Sequence, residues 1–195
     1  MTELPPPQKV GVAPGLHPLL ADRFSPRSFS DDAVDDAALE RLLEAARWAP
    51  SSSNTQPWRF VVARPGAKAH TALVATMKGA NAAWAPHAPV LLLTLARTTR
   101  DDGRPLRYAE YDLGQAVAHL TFQATADGLA VHQMAGFDAD AAYAAVGAPD
   151  GLRPMTLVAV GRRGDPSQLT EGLAAREVAP RERLARADLL VDPAG

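Results

Sequence analysis

Four short stretches of this 195-residue chain gather side chains able to bind an anion or an amide. The first is "RFSPRSFS", Arg23 to Ser30, with two arginines and three serines in eight residues. Arginine presents a fork of donors that suits phosphate, and serine hydroxyls satisfy the remaining acceptors. The same spacing also fits a solvated loop with a serine cap. The second is "PSSSNTQPW", Pro50 to Trp58, hemmed in by two prolines and lying between Trp48 and Trp58. An ordinary Asx or Ser turn is one reading. A connection between a helix and a strand seldom carries so many hydrogen-bonding groups with a tryptophan on each side. The third is "RER", Arg181 to Arg183, in a tail that also holds Arg176 and Arg186. Alone, such a run reads as surface charge. The fourth is "QMAGFD", Gln133 to Asp138, where Gly136 would let the main chain come close to a flat ligand.

Other chemistries find little support. The chain has no cysteine, which excludes disulfides, thiol catalysis and cysteine-ligated metal. Its histidines, His17, His70, His87, His119 and His132, are scattered without metal-ligand spacing. There is no nucleophile elbow, P-loop or HExxH, and no GxGxxG opens a helix after a strand. No acidic pair stands in an apolar setting. The net charge is −2, which argues against a general nucleic-acid binder, and the glutamates within the arginine-rich tail argue the same way. No apolar run reaches membrane-spanning length. "MTELPPPQKV" lacks the basic and apolar regions of a secretion signal. A soluble cytoplasmic protein is expected.

The elements that must position these stretches are legible in outline. Residues 1–15, rich in proline and glycine, read as a flexible arm, and residues 16–195 as a single domain. "DDAALERLLEAARWAP" predicts a helix: Asp35 or Asp36 caps it, Leu39, Leu42, Leu43 and Ala46 form one stripe, and Pro50 stops it. "RFVVA" (59–63) predicts a strand and "AKAHTALVATMKGA" a helix. "PVLLLTLA" (89–96) is apolar throughout and predicts a central strand buried on both faces. A polar loop leads to the long helix "YDLGQAVAHLTFQATADG", whose apolar face is Leu113, Ala116, Val117, Leu120 and Ala124 and whose C′ residue is Gly128. Its small residues suit close packing in the interior or at a subunit interface. "LAVHQM" (129–134) predicts a strand, "DADAAYAAVG" a helix and "MTLVAVG" (155–161) a strand. After Gly161 the chain is polar up to "DLLV" (188–191). Four or five strands interleaved with helices give one α+β domain.

Taken together and in order, the four stretches resemble the FMN-dependent nitroreductase family, from Arg23 to about Leu184. The most specific pieces are "APSSSNTQPWRFVV" and "RFSPRSF". The resemblance implies a central β-sheet flanked by helices and an intertwined homodimer with an FMN at each of two shared sites. It implies that Arg23 and Ser25 reach the phosphate and ribityl chain, and that Arg27 lies toward the pyrimidine edge. Pro50, Ser51, Ser52 and Asn54 match the segment that the partner lays against the flavin. Asn81, eight residues before Pro89, matches an amide at the pyrimidine edge. Met134, Ala135 and Gly136 match a turn whose N–H groups face N5 and O4, and Arg181 and Arg183 a basic pair that closes on the phosphate. The chain departs from the family where Ala135 replaces a frequent acidic residue and where Pro26 removes one N–H donor. Little is inserted between Gly79 and Pro105 that could form a large lid.

The implied activity is hydride transfer from NADH or NADPH through FMN to a small electron acceptor such as a nitroaromatic or a quinone, in ping-pong turnover. The flavin carries the chemistry, so no catalytic side chain is expected, and no metal. Two other readings share these residues: a non-catalytic flavin- or small-ligand-binding protein, and a flavin dehydrogenase or oxidase of a biosynthetic intermediate. The tryptophans flanking the serine–asparagine loop are expected to anchor it by burial.

Overall fold

The computed structural model describes residues 7–192. A short helix, α1 (Pro18–Asp22), follows the N-terminal segment, with His17 capping it by accepting from Leu19 N–H at 3.2 Å. Helix α2 (Asp36–Arg47) is capped by Asp35, whose carboxylate accepts from Ala38 N–H at 2.6 Å. Then come β1 (Trp58–Ala63), α3 (Lys68–Ala75), α4 (Asn81–Trp84) and β2 (Val90–Arg97). The long α5 (Ala109–Ala126) ends at Gly128, whose φ of +69° is the left-handed C′ conformation. The chain continues through β3 (Ala130–Met134), α6 (Ala139–Ala145), β4 (Leu152–Gly161) and α7 (Glu171–Val178).

The strands form one sheet in the order β1-β2-β4-β3, every pair antiparallel. The predicted central strand is therefore β2. Alternation along it sends Leu91, Leu93 and Leu95 to one face, against Leu73 of α3, Trp84 of α4, Ala142 of α6 and Leu173 of α7. Val90, Leu92 and Ala96 face the other side, against Leu42 of α2 and Leu113, Val117 and Leu120 of α5. Helices thus cover both faces of an antiparallel sheet, which explains an apolar run without polar alternation. Each leucine buried in this way contributes roughly 1.5–3 kcal/mol.

Three helices lie outside the sequence expectation: α1, α7 and the four-residue α4, which begins just past the helix expected to end at Ala80. Helix α1 is a single turn of five residues, too short for a periodic stripe. Helix α7 looked polar because only Leu173 and Glu177 of its eight residues are buried. The expected burial of both tryptophans holds for Trp58, which is 7% exposed, but not for Trp48 at 72%. The α2 helix ends at Arg47, ahead of Pro50, and turns Trp48 outward, where its indole N–H donates to Glu44 at 2.7 Å.

Candidate functional site

The first and third stretches converge. Arg181 Nη1 donates to the main-chain oxygen of Arg23 and Nη2 to that of Ala21, each at 2.7 Å. Arg23 Nη1 donates to Ser25 Oγ at 3.2 Å. Arg183 lies close enough that its charge, after burial itself, holds the Arg23 guanidinium below its ordinary pKa, with Arg181 adding to the effect. Burial and Arg183 depress Arg181 in the same sense. Among the described residues no salt bridge is made to Arg23, Arg181 or Arg183. Arg181 Nε is buried without a hydrogen-bond partner. Arg23 and Arg181 are held near one another and near the exposed Arg183 at electrostatic cost, with one buried donor unsatisfied, an arrangement whose chemistry suits an anion.

The loop carrying Arg23, Ser25 and Arg27 is fastened to the β3 edge of the sheet. His132 Nδ1 lies 2.8 Å from Pro26 O, and the Glu177 carboxylate accepts from Arg27 N–H at 2.8 Å. Burial raises the pKa of Glu177 although the Arg27 and Ser28 N–H groups and the Arg27 guanidinium oppose the rise. Further on, Ser28 and Ser30 pair with residues 162–164, just past the end of β4.

The second convergence lies at the far end of β3. Asn81, first residue of α4, donates from Nδ2 to Gly136 O at 3.3 Å, and Lys78 N–H donates to the same oxygen at 2.9 Å. A Cβ on Gly136 would stand 2.7 Å from Asn81 Nδ2, so a larger residue there must push the Asn81 amide aside. Met134 is buried, whereas Ala135 is exposed. Trp84, at the other end of α4, packs its ring 4.5 Å from that of His132 and 6.1 Å from that of Phe29. Arg23, Ser25, Arg27, Asn81, Met134, Ala135, Gly136, Arg181 and Arg183 therefore share one side of the molecule, ranged along β3.

The Pro50–Asn54 segment does not join them. Strand β1 lies at the opposite edge of the sheet from β3. Trp58 pairs with Ala96, and Ala96 with Arg153, so the loop ahead of Trp58 sits at the sheet end away from residues 162–164. The loop and the arginine cluster occupy opposite corners. There the loop is tightly held. Ser52 N–H donates to the buried Asp112 carboxylate at 3.0 Å, and Ser51 Oγ accepts from Gln56 N–H at 3.1 Å. Asn54 Oδ1 accepts from Gln56 Nε2 at 3.1 Å. Ser53, Asn54 and Gln56 have φ of 52°, 54° and 44°. Left-handed backbone at non-glycine residues costs on the order of 1–3 kcal/mol each and persists where a site needs a fixed shape.

The nitroreductase family model matches this chain over residues 20–76 and 64–162, well over half its length. The chain belongs to the nitroreductase family. A crystal structure described as an oxidoreductase containing FMN is 34% identical, covers 98% of this chain and 97% of its own, and has a TM-score of 0.86. An uncharacterised 15.4 kDa protein of Mycolicibacterium smegmatis is 40% identical over 65% of this chain and 90% of its own length. A nitrobenzene nitroreductase of Ectopseudomonas oleovorans is 45% identical, but over only 26% of this chain and 22% of its own.

Within this nitroreductase-family chain the matched region holds Arg23 through Gly136, whereas Arg181 and Arg183 lie beyond it; the hydrogen bonds of Arg181 to the Ala21 and Arg23 carbonyls bring that segment to the Arg23 loop. Sequence reasoning missed the groups that fix the site from behind: His132, Glu177, Trp84 and Asp112. His132 could have been found from its two-residue spacing to Met134 and Ala130 on one strand face. Asp112 stands four residues before Ala116 on the buried face of α5, an acid where an apolar residue is expected. Glu177 gave no such signal, since its helix was not recognised.

Proposed function

We propose that this protein is an FMN-dependent oxidoreductase that passes hydride from NADH or NADPH to a small electron acceptor. The observation that carries this is the β3 edge of a nitroreductase-family chain. It has at one end an arginine cluster that makes no salt bridge among the described residues, and at the other a glycine turn braced by a side-chain amide. The residues fit the cofactor: Arg181 Nε is an unsatisfied buried donor beside the proposed phosphate position, and the Asn81 amide packs so closely on Gly136 that a Cβ there would displace it. The likeness to an FMN-containing oxidoreductase along 98% of this chain supports the same reading.

When bound, FMN supplies the two-electron chemistry, accepting hydride from the nicotinamide and delivering it to a nitroaromatic, a quinone or a similar acceptor. Arg23, Ser25, Arg181 and Arg183 would hold its phosphate. Main-chain N–H groups of Met134 to Gly136 and the Asn81 amide would meet the polar rim of the ring. Arg27 would place positive charge beside the ring and stabilise negative charge there, a preorganised electrostatic role. The Pro50, Ser51, Ser52 and Asn54 segment, at the opposite corner of its own chain, would complete the site of a second copy. In that homodimer each site needs both chains. No side chain serves as a nucleophile.

Stopped-flow mixing of the FMN-loaded protein with NADH and with NADPH tests the activity. Bleaching of the flavin absorbance by one of them, reversed on adding a quinone or a nitroaromatic, is expected. Flavin that binds but is bleached by neither contradicts hydride transfer from nicotinamide.

A further inference from the structure

The N-terminal segment is built into the arginine cluster. Arg181 N–H donates to Gln8 O at 2.9 Å, and Val10 N–H donates to Arg181 O at 3.2 Å, so Lys9 and Arg181 form a parallel bridge. Pro7 is buried. The Lys9 ammonium pairs with the Asp22 carboxylate. Asp22 sits between Ala21 and Arg23, the two residues whose carbonyls receive the Arg181 guanidinium, and its charge is felt at Arg181. A carboxylate there competes with any incoming anion for the arginines.

We propose that the Gln8–Val10 segment is a positioning part of the phosphate site: its main chain fixes Arg181, and Lys9 engages Asp22 so that the arginines are kept for the ligand. The inference rests on the FMN reading above. A phosphate gains most from donors already held in place, because little ordering remains to oppose binding. Lys9 adds a further positive charge, yet its main effect is through Asp22. The role therefore concerns the phosphate and not the flavin ring, which separates it from a general contribution to folding.

The test compares FMN with riboflavin, which lacks the phosphate, on the full-length protein. Lys9→Met should weaken FMN about tenfold, the order of one charge-assisted hydrogen bond, and leave riboflavin affinity unchanged. Asp22→Asn added to Lys9→Met should restore FMN affinity, since the competing carboxylate is gone. Val10→Pro, which removes the donor to Arg181 O, should weaken FMN selectively, whereas Val12→Pro should not. Equal loss for FMN and riboflavin would show a merely structural role and overturn the proposal. So would FMN binding unaffected by Lys9→Met and Val10→Pro, or a double variant no better than Lys9→Met. Wild-type protein that binds riboflavin as tightly as FMN overturns the phosphate assignment, and protein that binds neither overturns the flavin reading itself; the clamp falls with either.

Discussion

His132 Nδ1 stands 2.8 Å from the carbonyl oxygen of Pro26 and so ties the Arg23–Arg27 loop to β3. Burial above all, with the Arg27 and Arg23 charges beside it, lowers the imidazole pKa from 6.5 to about 4, against hydrogen bonds to the main chain of Pro26 and Ser25 that favour the charged form. A folded-state pKa below the unfolded one means that the unfolded chain takes up the proton first. The stabilisation is complete above pH 6.5 and is lost as pH falls toward 4. By pH 4.5 it should amount to a loss of roughly 2.5 kcal/mol. Urea denaturation of the wild type and of His132→Gln at pH 7.5 and 4.5 checks this. The stability gap between the two should narrow at the lower pH, and a gap that stays constant would contradict the assignment.

If the arginine cluster holds the FMN phosphate as proposed, removal of one guanidinium should be felt in FMN affinity. Arg23→Ala and Arg183→Ala should each cost roughly 1.5–3 kcal/mol, about ten- to a hundredfold in dissociation constant. Trp48→Phe, at a position 72% exposed in the chain, should leave FMN affinity much closer to wild type. Fluorescence titration of FMN decides the matter; wild-type affinity in both arginine variants would reduce the cluster to surface charge.

Gly136→Ala should loosen the ring end of the site and spare the phosphate end. The added methyl would stand 2.7 Å from Asn81 Nδ2 and displace it from Gly136 O. FMN and riboflavin should weaken together, whereas Arg23→Ala should weaken FMN alone. Calorimetric titration of both ligands reads the difference. Wild-type binding of both ligands by Gly136→Ala would remove the turn from the site.

The fold was legible where burial is periodic or complete. The stripe Leu39, Leu42, Leu43 and Ala46, the face Leu113 to Ala124, and the apolar run of β2 each announce what covers them. Helix α7 was hidden because it presents so little to the core, and Trp48 misled because a tryptophan flanking the serine–asparagine loop resembled an anchor, whereas it turns outward to Glu44. The candidate site could be proposed where residue types are rare in combination, as in Arg23-x-Ser25-x-Arg27. His132, Glu177 and Asp112 were not, because each acts on a main-chain group brought near by tertiary structure: His132 on Pro26, Glu177 on Arg27 across 150 positions, Asp112 on Ser52 across 60. No local pattern encodes such a pairing.

A shared site requires that Ser51, Ser52 and Asn54 serve the flavin held by the Arg23 of another copy. One variant carries Arg23→Ala and a second carries Ser51→Ala, Ser52→Ala and Asn54→Ala. Each homodimer has both sites damaged, whereas a mixed dimer has one site with both defects and one with neither. Random re-pairing makes about a quarter of all sites intact in a two-fold dimer. The measurement is flavin binding and NAD(P)H oxidation after the two variants are denatured and refolded together, with subunit exchange confirmed by a tag. Recovery toward that fraction, above either variant refolded alone, is the predicted result. A mixture no better than the separate controls would show that the serine–asparagine loop serves its own chain, or no flavin at all.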